Sequence, residues 1–335
     1  MTAWTVAPTA SDWADAAALL LSARRVLLLA HVAPDADAVG SALALGLGLK
    51  GHGIEVVVSF GDEPFVLPAN LAFLPGQELL LPAAKVTGEF DVAVTLDVSA
   101  IARLGNLVES AQSAAKLLVV DHHRTYTGFG DVHLVDTTAP ATAVLVIRLL
   151  DECGLALTPA IATCLYAGIL TDTGSFRYAN VDADTHVIAA RLHSVGIDHV
   201  HVGRSLYEDQ PFAAMRLQGE AMSRTLVDFA AVSGRGMAWT IVTKSERLAS
   251  GQSIDVLERV IDGLRTSVEV EVVVVFKEDD TGQWRVSTRS KGQVDVGSVC
   301  QALGGGGHLY AGGFESHDSP EVILATLRDV LAAQP

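Results

Sequence analysis

Residues 25–37 read Arg25-Val-Leu-Leu-Leu-Ala30-His31-Val-Ala-Pro-Asp35-Ala-Asp37. The first six form a short apolar, β-compatible run, the pattern of a central parallel strand buried on both faces. A helical stretch follows over about 37–50. Strand-like runs recur at 54–60 (IEVVVSF), 90–97 (FDVAVTLD) and 116–123 (KLLVVDHH). Helical patterns occupy 99–114, 140–153, 159–170 and 184–195. Strands alternating with helices predict an α/β fold built on a doubly wound, mainly parallel sheet. Sheets of this kind hold ligands outside the carboxyl ends of their strands, which is where His31, Asp35 and Asp37 fall.

Near residue 200 the pattern changes. Residues 201–230 read as helical, followed by strands at 236–243 and 268–278 and a helix at 252–264. Asp280-Thr281-Gly282 supplies a hairpin turn into WRVSTRS at 284–290, and a closing helix covers about 320–333. The expected division is a catalytic domain over 1–200, a helical connector over 201–224 and a smaller α+β domain over 225–335. No internal repeat is visible.

A chain of 335 residues, half of them apolar and 19% charged, is long enough for two domains with real cores. Its 39 acids against 23 bases give a net charge of −16. Proteins that track long nucleic acid carry a basic stripe, whereas the longest basic cluster here is Arg24-Arg25. A long duplex is therefore excluded as a partner, but a small anion held by cations is not. Cys153, Cys164 and Cys300 lack zinc-ligand spacing and fit a reducing compartment. The N-terminus lacks the order of a signal peptide. Residues 153–171 are uncharged, but Thr158-Pro159 reads as a helix start. The remaining helix would be about 18 Å long, too short to span a bilayer. These features predict a cytoplasmic protein with no membrane partner. Gly46-Leu-Gly48-Leu-Lys-Gly51 matches a dinucleotide-binding fingerprint, but it lies some fifteen residues past the strand, at a helix end where glycine caps.

Four segments carry chemistry: His31 to Asp37, Asp97 at the end of FDVAVTLD, Asp121-His122-His123 ending KLLVVDHH, and Asp172 in GILTDTGSF. Taken singly, an aspartate after a strand is a helix cap, the plain reading for Asp37 or Asp97, and a lone histidine is a satisfied core or surface residue. Together they place four carboxylates and several imidazoles at one sheet edge. Two carboxylates about 5 Å apart repel by about 3 kcal/mol at an effective dielectric of 20. Two divalent cations would neutralise all four. The absence of thiolate disfavours structural zinc. Carboxylates suit Mg²⁺ and Mn²⁺ and imidazole favours transition metals, so Mn²⁺ is the expected ion, with Mg²⁺ second.

His31-x-x-x-Asp35-x-Asp37, Leu96-Asp97, Asp121-His122-His123 and Thr171-Asp-Thr-Gly-Ser-Phe176 resemble, in order, the motifs of the DHH phosphoesterase family. Gly304-Gly305-Gly306-Gly307-His308 resembles the signature of the attached DHHA1 domain. The chain is most similar to the bacterial branch of oligoribonucleases that also act as 3′-phosphoadenosine 5′-phosphate phosphatases. The resemblance implies one Mn²⁺ held by His31, Asp35 and Asp97, and another by Asp37, Asp97, His122 and Asp172, with Asp97 bridging. It places His123 near the substrate phosphate, and Asp121 reads as an orienter of histidine, completing a catalytic set of Asp97, Asp121, His122 and His123. Arg289 is implied to pair with a phosphate or carry a base, with Ser290, Gly305, Gly306, Gly307 and His308 as further substrate contacts. The implied reaction is attack on phosphorus by a water activated between two cations. The implied partners are a small nucleotide or short RNA and a second copy of the chain. Competing readings are a cyclic-di-AMP or linear dinucleotide phosphodiesterase, a pyrophosphatase, and a non-catalytic nucleotide sensor. Two positions depart from the family pattern: Tyr126, where many relatives have Asn, and Ala311-Gly312-Gly313, where Ala-Ala-Gly is common.

Overall fold

The structure, a computed structural model, describes residues 7–333. The chain divides into two compact units, Met1–Asp209 and Gln210–Pro335.

In the first unit the elements run α1 (Ala10–Ser22), β1 (Arg25–Ala30), α2 (Ala36–Gly51), β2 (Glu55–Phe60), β3 (Val92–Leu96), α3 (Val108–Gln112), β4 (Lys116–Asp121), β5 (Val132–Val135), α4 (Thr142–Glu152), α5 (Pro159–Asp172), α6 (Ala183–Ser194) and α7 (His199–Tyr207). The sheet is wholly parallel, in the order β2-β1-β3-β4-β5. Leu27, Leu28 and Leu29 of β1 are fully buried, each side chain contributing about 1.5–3 kcal/mol over an exposed one. Leu28 packs with α2, α4 and α5 on one face, while Leu27 and Leu29 join Phe90, Leu104 and Leu107 on the other. The expected doubly wound α/β architecture is present.

α2 is apolar nearly all round, as a helix enclosed by its neighbours must be. It meets α5 so closely that a Cβ on Gly40 would lie 2.5 Å from the Cys164 carbonyl oxygen, and one on Gly168 2.6 Å from Asp37 Oδ1. These two glycines let the helix backbones approach, bringing the end of α5 beside the start of α2.

Several elements differ from the expectations. α1 was not anticipated, although Trp13, Ala16, Ala17 and Leu20 bury one face at helical spacing. β5 was not anticipated either. The single helix expected over 99–114 is a 3-10 segment (Ile101–Leu107) followed by α3, because Gly105 adopts φ 54°, ψ −125°. Residues 201–224, expected to be helical, hold most of α7 and the whole of α8 (Phe212–Ser223), with the extended Pro211 between them.

The second unit continues with β6 (Leu226–Asp228), a single-turn α9 (Ala231–Gly234), β7 (Met237–Val242), α10 (Lys244–Ser250), α11 (Glu258–Leu264), β8 (Val272–Glu278), β9 (Trp284–Ser290), α12 (Val296–Ala302), β10 (Gly306–His308), β11 (Ala311–Ser316) and α13 (Pro320–Ala332). Its mixed sheet has the order β10-β11-β9-β8-β7-β6. Val272, Val274, Phe276 and Val286 pack with residues of α12 and α13, and Val273 and Val275 with residues of α8 and α11. Among the described residues, no helix is long and apolar enough to cross a membrane.

Candidate metal centre

The strand order reverses between β1 and β3, which lie side by side. This is the crevice where doubly wound sheets receive ligands. His31 follows β1, Asp97 follows β3, and Asp121-His122-His123 ends and follows β4, so three adjacent strands deliver their groups to one edge. Asp35 is the N-cap of α2, its Oδ1 accepting from the Asp37 and Ala38 amides at 3.0 Å each. The cap reading thus falls on Asp35 and not on Asp37. Asp172 ends α5, where the helix dipole disfavours a carboxylate and nearby positive charge must compensate.

The eight residues singled out at this edge come together. His31 Nε2 lies 3.7 Å from Asp35 Oδ2 and 3.5 Å from Asp97 Oδ2. His122 Nε2 lies 3.1 Å from Asp172 Oδ2, 3.4 Å from Asp97 Oδ1 and 3.8 Å from Asp37 Oδ2. These distances define two clusters, His31-Asp35-Asp97 and Asp37-His122-Asp172, each with ligand atoms within 4.8 Å of one another, and Asp97, Asp121 and His123 form a further such group. Asp97 turns Oδ2 toward the first and Oδ1 toward the second.

The other ring nitrogens of His31 and His122 face backbone carbonyls. His31 Nδ1 is 2.9 Å from the Val32 carbonyl and His122 Nδ1 is 3.0 Å from that of Ala139. A carbonyl only accepts, so His122 Nδ1 donates to Ala139, while His31 Nδ1 also has Arg103 Nη2 at 3.2 Å; in both rings Nε2 faces the carboxylates. That is the arrangement of metal-ligating imidazoles.

Protonation shows the same demand for positive charge. Burial opposes a charged His31, but Asp35 and Asp97 raise it to about 10. Burial likewise works against a charged His122, yet Asp172 and Asp97 push it well up. Asp97 is held well below the usual carboxylate range, against its burial, by His123, His122 and His31. Burial and the neighbouring Asp172 and Asp97 carboxylates push Asp37 well up. Asp172 rises to about 6 through burial and the Asp35 and Asp97 charges, despite His122. Carboxylates that must hold protons to coexist are groups from which divalent cations would displace those protons. The donor set of oxygen and imidazole nitrogen fits two such ions.

His123 Nδ1 donates to Asp121 Oδ1 at 2.7 Å and lies 3.6 Å from Asp97 Oδ1. Against the effect of burial, Asp121 and Asp97 raise His123 above its ordinary value. Tyr126 is buried, donates to the Phe129 carbonyl and packs on Phe129 and His133.

Sequence reasoning missed Thr142 and Arg103. Thr142 Oγ1 donates to Asp97 Oδ1 at 2.9 Å, while the Thr142 and Ala143 amides donate to Asp37 Oδ2 and Oδ1 at 2.6 and 2.9 Å. Arg103 Nη2 reaches the Val32 carbonyl at 3.2 Å, beside His31. Nothing in Ala141-Thr-Ala143 or in the 3-10 segment around Arg103 distinguishes these residues by pattern.

In the second unit, Arg289, Ala311 and His308 form one row across β9, β11 and β10, and directly opposed antiparallel residues share a face. Arg289 donates to the Thr288 carbonyl, and together with Lys277 its charge holds the Glu258 carboxyl low against the effect of burial. The three glycines expected to contact substrate have different surroundings. A Cβ on Gly305 would lie 2.0 Å from the Gly313 carbonyl oxygen and one on Gly307 2.3 Å from that of Ala311, so these two glycines serve close packing against β11. Gly306 alone of the three proposed contacts would point a Cβ into open space. The Ser290 side chain is fully buried and its hydroxyl donates to the Leu309 carbonyl at 3.4 Å.

The DHH family, N-terminal domain, matches residues 25–169, and the DHHA1 domain matches residues 245–333. The chain is 34% identical to the bifunctional oligoribonuclease and PAP phosphatase NrnA of Thermus thermophilus, over 86% of this chain and 83% of that one. It is 28% identical to the protein of the same description from Bacillus subtilis, covering 90% and 93%. The cyclic-di-AMP phosphodiesterase GdpP of Geobacillus thermodenitrificans is 27% identical over 87% of this chain but only 44% of its own length. Among solved structures, an exopolyphosphatase-related protein from Bacteroides fragilis superposes with a TM-score of 0.86 at 25% identity, covering 98% of each chain.

Proposed function

The chain belongs to the DHH family and carries a DHHA1 domain, and on that premise we propose that it is a Mn²⁺-dependent hydrolase of short nucleotides. Its substrates on this reading are short oligoribonucleotides, cut to mononucleotides, and 3′-phosphoadenosine 5′-phosphate, which loses a phosphate. The observation that carries the reading is Asp97, whose two oxygens face the Nε2 atoms of different histidines. His31, Asp35 and Asp97 would hold one cation, and Asp37, Asp97, His122 and Asp172 the other. When bound, the pair supplies a nucleophilic water at neutral pH and charge for the phosphoryl oxygens.

The protein's own groups do the rest. Asp121 fixes the His123 ring with Nδ1 protonated, and an imidazole that keeps its proton stabilises charge developing on a phosphate oxygen. Asp121 thereby orients and His123 contacts. Arg289 is a guanidinium suited to a nucleotide phosphate, and Gly306 of β10 offers bare backbone on the same sheet. The net charge of −16 suits small substrates gathered by cations and disfavours long duplexes. A cytoplasmic location and pairing into homodimers accompany this reading.

The second reading is a cyclic-di-AMP or linear dinucleotide phosphodiesterase, favoured by the similarity to GdpP. That relative is more than twice as long as the matched region, whereas the Thermus and Bacillus oligoribonucleases match over most of their length. The discriminating experiment compares a dinucleotide, a 5-mer RNA, 3′-phosphoadenosine 5′-phosphate, cyclic di-AMP and pyrophosphate with Mn²⁺ present. Hydrolysis of the first three ahead of the last two is expected. Preferential cleavage of cyclic di-AMP would replace the leading reading with the second, and no hydrolysis of any would leave a nucleotide sensor.

A further inference from the structure

Asp97 adopts φ 64°, a left-handed conformation costly for a residue with a Cβ. Its backbone amide is anchored to the Val120 carbonyl at 3.0 Å, but that bond leaves the carboxylate free to rotate about the side chain. His31, His122 and His123 stand around it. Two of these are candidate ligands whose Nε2 atoms would turn to cations, so they cannot also fix the carboxylate plane by hydrogen bonds.

The fourth neighbour is of a different kind. Thr142 is fully buried and is the first residue of α4, whose N-cap, Ala141, offers no side-chain cap. An uncapped helix start leaves its first amides without partners. Here those of Thr142 and Ala143 are satisfied by Asp37, from 105 and 106 residues earlier in the chain. The Thr142 hydroxyl points to Asp97 Oδ1 at 2.9 Å. At the first helical position no preceding turn competes for that hydroxyl. One residue therefore touches a carboxylate of the second cluster through its backbone and the shared carboxylate through its side chain.

Resting on the two-cation reading above, we infer that Thr142 is a positioning residue that sets the plane of the bridging Asp97 carboxylate, so that its oxygens serve separate cations at a fixed spacing. A neutral hydroxyl donor suits this task. It occupies one lone pair of Oδ1, adds no charge, and has no proton that a cation would displace.

The test uses the full chain and three proteins: wild type, Thr142→Val and Thr142→Ser. Valine keeps the branched shape and the backbone amide on Asp37 while deleting the hydroxyl; serine keeps the hydroxyl. Mn²⁺ binding is followed by calorimetric titration and by the electron paramagnetic resonance of the exchange-coupled pair, with kcat and KM measured on a dinucleotide. Thr142→Val is expected to bind the second Mn²⁺ about 10- to 100-fold more weakly, lose the coupled signal, and drop in kcat at saturating substrate with little change in KM. Thr142→Ser is expected to recover all three to within a few-fold. If the valine variant does not fold, Thr142→Ala takes its place in the same titration. A coupled pair of wild-type affinity in the hydroxyl-free variant, or failure of serine to rescue, overturns the inference about Thr142 while leaving the metal centre standing. A wild-type protein that never binds a coupled pair overturns the two-cation reading and this inference with it.

Discussion

Replacing Gly168 with alanine tests how α5 serves the metal centre. The new Cβ would sit 2.6 Å from Asp37 Oδ1, 3.0 Å from Asp37 Cα and 3.1 Å from Ala143 Cβ. Comfortable carbon contacts lie near 3.5–4.0 Å, so the helices must part by roughly half an ångström or more. Asp37 Oδ1 cannot yield cheaply, because it accepts the Ala143 amide at 2.9 Å, and Asp37 Cα belongs to the first turn of α2. Overpacking of this kind costs about 1–3 kcal/mol. Glycine to alanine inside a helix would otherwise gain about 1 kcal/mol, so a reference is needed. Gly203, in α7 of the same unit, has nothing within 4 Å of its would-be Cβ, and Gly203→Ala should keep the whole gain. The two variants should then differ by about 1–3 kcal/mol, or roughly 2–12 °C in melting temperature, measured by differential scanning fluorimetry of metal-free protein. Gly168→Ala should also weaken the second Mn²⁺ about tenfold or more in calorimetric titration, while the site of His31, Asp35 and Asp97 holds its ion. A Gly168→Ala protein as stable as Gly203→Ala, with wild-type affinity for both ions, would refute this reasoning.

Asp97→Ala should abolish turnover and lower the occupancy of both cations; substantial residual activity with two ions bound would count against the bridge. Arg289→Ala should raise KM for nucleotides about 10- to 100-fold, the worth of a charge-assisted hydrogen bond, with Mn²⁺ content unchanged, and loss of metal would show that its role lies elsewhere. The raised Asp172, at about 6 against 3.8, means that the metal-free folded state binds more protons than the unfolded chain between those values. Its contribution to stability therefore falls as pH rises through that window, while cations, which compete with those protons, bind better. The melting-temperature gain from Mn²⁺ should accordingly grow from pH 5 to pH 8, and a gain independent of pH would contradict the proton–cation exchange.

The sequence made the first unit legible where strands are buried on both faces. β1 begins and ends where its apolar run does, and the ligand candidates were readable because each directly follows such a run or, for Asp172, closes a helix. Asp35 and Asp37 show the limit. Both look like caps in one dimension, and only the helix start reveals that Asp35 caps α2 while Asp37 serves the start of α4. β10 escaped notice because glycines carry no alternation; pairing with β11 defines it. Ser290 sits next to Arg289 in sequence but on the opposite side of β9, where it is buried, an outcome of the two-residue period that a motif read as a block ignores. Thr142 was invisible for another reason. Its significance comes from two partners, 45 and 105 residues away, that only the folded sheet edge assembles.

The most direct measurement adds Mn²⁺ stepwise to metal-free protein and follows bound ions per chain together with the rate of dinucleotide hydrolysis. Two ions per chain are predicted, with the rate rising as the second site fills and reaching a plateau when both are occupied. Full activity with a single ion, or undiminished activity in excess EDTA, would contradict a centre bridged by Asp97.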